Sequence, residues 1–255
     1  MSDATTPGRA GRFAEQSALV LGGSRGLGRA VAVALAAEGA RVLVAGRRAG
    51  ALAELRAIAR ARGLHLETAR ADVTRRTAVR DVFRRARRTV GGPDLLVHAV
   101  GDYWEGPLTR LRQATWEGLL RSNLSSALFA LQEAVPGMRR RRRGRILLFG
   151  VAGGDYPRAA PRAHAYRAAK TALLTLARSV AQEEAAHGIT VNVLLPGAIR
   201  TESMTRARAA AILPRIPARR LGTTQEVARA ALFLLAPESG YITGAALHVS
   251  GGWLL

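Results

Sequence analysis

A tyrosine and a lysine four positions apart, Tyr166 and Lys170, form the clearest reactive pair in this chain. On a helix that spacing puts both on one face, one turn apart. An ammonium beside a phenol favours the phenolate, so the pair is expected to bring the tyrosine below its ordinary pKa of about 10. Such a pair can donate and accept a proton near neutral pH. The same spacing also fits two unrelated surface residues, but composition singles this one out. Of 39 basic residues 38 are arginine, and Lys170 is the one lysine. A compact, tunable ammonium stands here, where a planar guanidinium would not substitute.

The second reactive stretch is Gly22-Gly23-Ser24-Arg25-Gly26-Leu27-Gly28. It follows the short apolar run 17–21 and opens an Ala/Val/Leu-rich segment, the strand–turn–helix context in which a glycine motif binds nucleotides. Glycines let the backbone approach a pyrophosphate, and the helix start offers free N–H groups and a positive dipole end. The spacing is Gly-x-x-x-Gly-x-Gly rather than the Gly-x-Gly-x-x-Gly of standard dinucleotide folds. A carboxylate after the second strand would select NAD through the ribose 2′-OH. This chain has Gly46-Arg47-Arg48 there, with Arg25 in the glycine turn, so NADP(H) is the expected cofactor.

Apolar runs alternate with helical patterns along the whole chain. Strands are expected at 17–21, 41–45, 65–70, 94–98, 145–149, 189–195 and 245–249. Helices are expected at 27–38, 49–62, 75–90, 113–138, 166–186 and 224–235. Residues 201–220 read as an irregular or weakly helical flap over the substrate. This rhythm predicts an α/β fold, a single-domain Rossmann-type doubly wound parallel sheet of about seven strands flanked by helices. The domain is expected to span 15–255, behind a loose tail at 1–14.

Length and hydrophobic content of 48% suit one globular domain. No apolar run reaches a membrane span, and residues 1–15 lack a signal-peptide core. With no cysteine, disulfides and thiolate metal sites are excluded, no metal site is expected, and a cytoplasmic location is the default. The net charge of +21 is almost all arginine. It fits a solvated arginine-rich surface, and nucleic-acid binding is not expected, because no aromatics interleave with the five-arginine run 139–143 to stack bases.

Beyond these two stretches, Asp72-Val73, Asn123, Pro196-Gly197-Ala198-Ile199-Arg200-Thr201 and the tail 239–253 fall in a recognisable order. The chain resembles the short-chain dehydrogenase/reductase family over 17–253, and 220–223 with the tail are most similar to its 3-oxoacyl-[acyl-carrier-protein] reductase branch. The resemblance implies that Tyr166 is the general acid/base for the substrate oxygen. It makes Lys170 the residue that tunes Tyr166 and holds the nicotinamide ribose, and Asn123 the anchor of a water relay. Besides the glycine turn (Gly22, Ser24, Arg25, Gly26, Leu27, Gly28) and Arg47 and Arg48, the cofactor would touch Asp72, Val73, Ala99, Gly101, Tyr166, Lys170, Pro196, Gly197, Ile199 and Thr201. The substrate would be a small molecule or acyl thioester, carrier-bound or free, and the assembly a homotetramer or homodimer. An acidic carrier protein would find basic residues at Arg142 and Arg143 with His187, although a helix end favouring cations explains the run as well.

One part of the family's site is missing. Its serine after strand five is Val151 here, and no serine occurs between Ser126 and Ser179. Three readings follow: a reductase with a surrogate donor (Asp155, Tyr156, His164 or His98), a reductase of an imine or other substrate needing no serine, or a catalytically weak cofactor-binding subunit paired with an active homologue. The family's Asn-Asn-Ala-Gly is also altered, to His98-Ala99-Val100-Gly101.

Overall fold

The structure is a computed structural model that describes residues 11–156 and 158–255. In chain order the regular elements are β1 (Ser17–Leu21), α1 (Gly26–Ala37), β2 (Arg41–Gly46), α2 (Ala49–Ala61), β3 (Leu66–Arg70), α3 (Arg76–Thr89), β4 (Leu95–His98), α4 (Gln113–Leu120), α5 (Ser126–Arg141), β5 (Gly144–Phe149), α6 (His164–Glu184), β6 (Ile189–Pro196), α7 (Arg206–Ile212), α8 (Thr224–Leu235) and β7 (Ala246–Val249). All strand pairs are parallel, in the order β3-β2-β1-β4-β5-β6-β7. The strand order reverses at β1 and β4, and in such sheets ligands bind in the crevice at the carboxyl ends of the strands.

Strand side chains alternate between two cores. Ala18, Val20, Val42 and Val44 pack with α1, α2 and α8, while Leu19, Leu21, Leu43 and Ala45 pack with α3, α5 and α6. Burial on both faces explains why the strands read as continuous apolar runs. β7 differs, since all four of its residues are part-exposed at the sheet edge.

Several expectations move. Residues 1–10 of the expected tail lie outside the described residues. Residues 11–14 do not fit a loose tail, because Phe13 is fully buried and its amide donates to the Glu38 carbonyl at 2.9 Å. The single helix expected at 113–138 is broken by a π-helical turn, Arg121–Ser125, that contains Asn123. The helix at the tyrosine starts two residues early, at His164. Within 201–220 a short helix forms, with the Thr205 side chain accepting from the Arg208 amide at its start.

The arginine run also has a structural use. Arg139 holds the buried Glu184 carboxylate (Nε to Oε2, 2.7 Å), Arg141 and Arg143 hold the buried Asp94, and Arg142 donates to the Ala186 carbonyl. His187 leans on the same Glu184 at 3.5 Å. The run leads into the N-terminal end of β5, the opposite end of the parallel sheet from the strand termini that carry Tyr166's surroundings. A carrier protein seated on Arg142 and Arg143 would therefore sit away from the reactive pair.

Candidate active site

The loops at the carboxyl ends of β1, β2, β3 and β4 enclose one groove. Gly22, Ser24, Arg25, Arg47, Arg48, Asp72, Val73, Ala99 and Gly101 all line it, with Ala45, Gly46, Ala71, Val100 and Asp102 between them. Gly22 has φ +79°, and a side chain there would meet the Ala99 carbonyl at 2.5 Å. At Gly28 it would meet the Gly22 carbonyl at 2.6 Å, so α1 packs tightly on the turn. Arg25 caps α1 without a side-chain bond, and the first turn holds no acidic residue. Free N–H groups at a helix start beside a glycine turn fit an anionic pyrophosphate.

Asp72 is shaped by its neighbours. Burial works against its charge, but the Thr74 hydroxyl and amide, with Arg47 and Arg75, outweigh that and hold the carboxyl below its ordinary value. The chain leaving β6 crosses toward the glycine turn. Gly197 is pressed against Ser250, Ile199 bridges Gly222, and a side chain at Gly26 would meet Thr201 and Glu202 at 3.9 Å. Pro196, Gly197, Ile199 and Thr201 thus lie on one path, with Thr201 over Gly26 and so near Leu27. The residues present fit a dinucleotide.

At the β4 and β5 end, Tyr166, Lys170 and Asn123 come together. A side chain at Gly101 would strike Asn123 Oδ1 and come within 3.4 Å of Lys170 Nζ, so glycine here leaves room for Asn123 and Lys170 to approach. Asn123 Nδ2 donates to the Asp102 carbonyl (2.9 Å) and to the Leu119 carbonyl (3.1 Å). The π turn aims this side chain, as such bulges often do at functional sites. Asn123 Oδ1 is buried without a partner among the described residues. A buried acceptor of this kind calls for a water or ligand hydroxyl.

Lys170 Nζ donates to the Phe149 carbonyl at 2.6 Å, and burial brings its pKa down to about 8. It sits 5.9 Å from the centre of the Tyr166 ring. The expected lowering of Tyr166 does not occur in this state. The phenol keeps some accessible surface, yet burial dominates and, with Tyr103, pushes it up to about 12. The ammonium is committed to a backbone carbonyl, and protein encloses the phenol more than charge stabilises its ionised form.

The four candidate surrogates for the absent serine are each committed elsewhere or exposed. His98, the last residue of β4, is fully buried and shares a hydrogen bond with Ser126 Oγ at 2.9 Å. Asp155 pairs with His248 Nε2 at 2.9 Å. Tyr156 is exposed, and His164 stacks on Trp104 with ring centres 6.1 Å apart. The aromatic group set against Tyr166 is instead Tyr103, edge-on with centres 5.0 Å apart and an interplanar angle of 77°. Arg208 of α7 covers the Tyr103 ring at 4.7 Å, and the Tyr103 hydroxyl donates to Glu105 at 2.7 Å. Tyr103 lies in the loop that follows β4. Its contact with Tyr166 has no local signal.

Burial, and then the charge of Lys170, bring His98 down to about 3. In the unfolded chain it would gain its proton near 6.5. Between these values the unfolded state binds the extra proton, so stability falls as pH drops from about 6.5 toward 3. Asn at this position removes the titration. The acid sensitivity of H98N between pH 6.5 and 5 should be smaller than that of the native chain by about 1–2 kcal/mol, read from chemical denaturation at the two pH values. Equal pH slopes would show that His98 does not titrate between folded and unfolded states.

Known proteins resemble the chain over nearly its whole length. A family profile described as Enoyl-(Acyl carrier protein) reductase matches residues 22–254. The chain is 40% identical over 247 residues to the 3-oxoacyl-[acyl-carrier-protein] reductase FabG of Escherichia coli (strain K12), covering 94% of this chain and 98% of that protein. It is 34% identical to Nodulation protein G of Rhizobium sp. (strain N33), over 93% of this chain and 96% of that one. Among solved structures, a short chain dehydrogenase/reductase family protein superimposes with TM-score 0.86 at 30% identity, over 94% of this chain and 98% of the other. The protein gox2181 superimposes with TM-score 0.89 at 27% identity, over 95% and 96%. Fold, groove and relatives together make this chain an oxidoreductase of the short-chain dehydrogenase/reductase family.

Proposed function

We propose that the protein is an NADP(H)-dependent reductase that converts a carbonyl, in a 3-oxoacyl thioester or small ketone, to the alcohol. The observation that carries this reading is the meeting of Lys170 and the unpartnered Asn123 Oδ1 at Gly101, beside Tyr166. The other end of the same groove presents Arg25, Arg47 and Arg48. Three guanidiniums with no carboxylate directly after β2 favour a 2′-phosphate over a bare ribose. The thioester part of the proposal leans on what the FabG relatives are called.

A bound reduced nicotinamide would supply the hydride to the carbonyl carbon. Tyr166 donates its proton to the carbonyl oxygen as negative charge develops there. Lys170, easily deprotonated for a lysine, sits where it can return a proton toward Tyr166. Asn123 Oδ1 accepts from the water or hydroxyl that links Lys170 to solvent. The Tyr103 ring lies edge-on against the tyrosine with Arg208 over it, and 201–220 acts as the flap. The part-exposed β7 fits burial by another copy in a homotetramer or homodimer. Among the described residues no helix is long and apolar enough to cross a membrane, and a cytoplasmic setting is consistent with the proposal.

Val151 favours a second reading, a weak cofactor-binding subunit beside an active homologue. Oxidation of NADPH and NADH with a panel of β-keto thioesters and small ketones separates the two. The expected result is turnover with NADPH and weaker binding of NADH. Tighter binding of NADH overturns the cofactor assignment. Tight NADPH binding without turnover on any substrate supports the subunit.

A further inference from the structure

β2 and β4 flank β1 on opposite sides, so the turns that follow them form the two walls of the cofactor groove over the glycine turn. Arg47 stands on the first wall and Asp102 on the second. Their side chains meet across it, Arg47 Nη2 donating to Asp102 Oδ1 at 3.0 Å. The groove beneath is about 110 Å³, below the roughly 300–1,000 Å³ of ordinary ligand pockets. Asp102 is well anchored: its amide donates to Ser122 Oγ at 3.2 Å and its carbonyl accepts from Asn123 Nδ2 at 2.9 Å. Arg25 and Arg48 make no salt bridge among the described residues, so Arg47 is the one guanidinium of the three already engaged.

We infer that Asp102 is a specificity-determining residue that competes with the cofactor's 2′-phosphate for Arg47, forming a bridge across the groove that a phosphorylated adenosine must open. The inference rests on the proposed NADP(H) preference. The carboxylate and a 2′-phosphate are both anionic acceptors for the same planar fork, and only one can hold it fully. Once Arg47 turns to the phosphate, the Asp102 carboxylate remains nearby as a like charge. An unphosphorylated adenosine has no group with which to draw Arg47 away. Asp102 therefore weakens the phosphorylated ligand more than the unphosphorylated one, and tempers the preference that the arginines set.

Both partners are more than half exposed, at 56% and 51%, so the bridge is of the modest, salt-screened kind. The test is calorimetric titration of the native protein, D102N, R47Q and R47Q/D102N with 2′,5′-ADP and 5′-AMP, together with the melting temperature of each ligand-free variant. The native protein should prefer 2′,5′-ADP. D102N should tighten 2′,5′-ADP about two- to fivefold and change 5′-AMP less, and the gain should vanish when Arg47 is already Gln. An unchanged or weaker 2′,5′-ADP affinity in D102N overturns the inference, and so does a gain that persists in the R47Q background. If the native protein binds 5′-AMP as tightly as 2′,5′-ADP, the cofactor reading fails first and the competition falls with it.

Discussion

Replacing Tyr166 with Phe should lower the rate of carbonyl reduction by about 10²–10⁴-fold while leaving NADPH affinity nearly unchanged. The substitution removes one hydroxyl and keeps the ring that packs edge-on against Tyr103. Structure and cofactor groove should therefore survive, and the loss should fall on kcat. The pH profile tests the proton's origin. Reduction needs the phenol in its acid form, and burial with Tyr103 holds Tyr166 protonated up to about 12 in the ligand-free state. Reduction by the native enzyme should thus show no fall from Tyr166 ionising until well into the alkaline range. The reverse oxidation, which needs the phenolate, should rise with pH through the same region. Pre-steady-state reduction by Y166F at the native rate would remove Tyr166 as the proton donor.

Much of the groove was legible in the sequence because its signals are local. The glycine turn lies between one apolar strand and one helix, and the first four strands each lead into residues that line the groove. The lone lysine marked the reactive cluster by composition alone. What escaped depends on partners distant in the chain. Helix-forming residues on both sides of Asn123 hide the π turn, whose use is to turn Nδ2 toward two carbonyls. Phe13 sits in a Gly/Arg-rich stretch and packs only because the core provides a slot. The arginine run looks like a solvated helix end until Glu184 and Asp94 fold against it. The rise in Tyr166's pKa had no counterpart at the spacing of four. It comes first from burial of the phenol in the folded chain, and Tyr103, which follows a different strand, adds to it.

Val151→Ser should raise kcat for carbonyl substrates, by about tenfold and short of the 10²–10³ associated with a preorganised oxyanion donor. Val151 opens the loop after β5, where the family resemblance puts a serine hydroxyl. The side chain is part-exposed, so trading its two methyls for a hydroxyl costs little packing. The gain should stay partial because the loop is built around other contacts. Its Ala152 amide donates to the Pro196 carbonyl, Gly153 is in a left-handed conformation against Leu254, and Asp155 is fastened to His248. A hydroxyl placed on this backbone arrives near the substrate oxygen without a supporting shell tuned to aim it. The expected signature is a higher kcat with KM nearly constant, since the new bond strengthens as charge develops on oxygen. No gain with ketones or β-keto thioesters, in a variant that still binds NADPH, would show that the hydroxyl is not the missing part. The pocket under Tyr103 would then have to be suited to substrates that ask for one proton donor only.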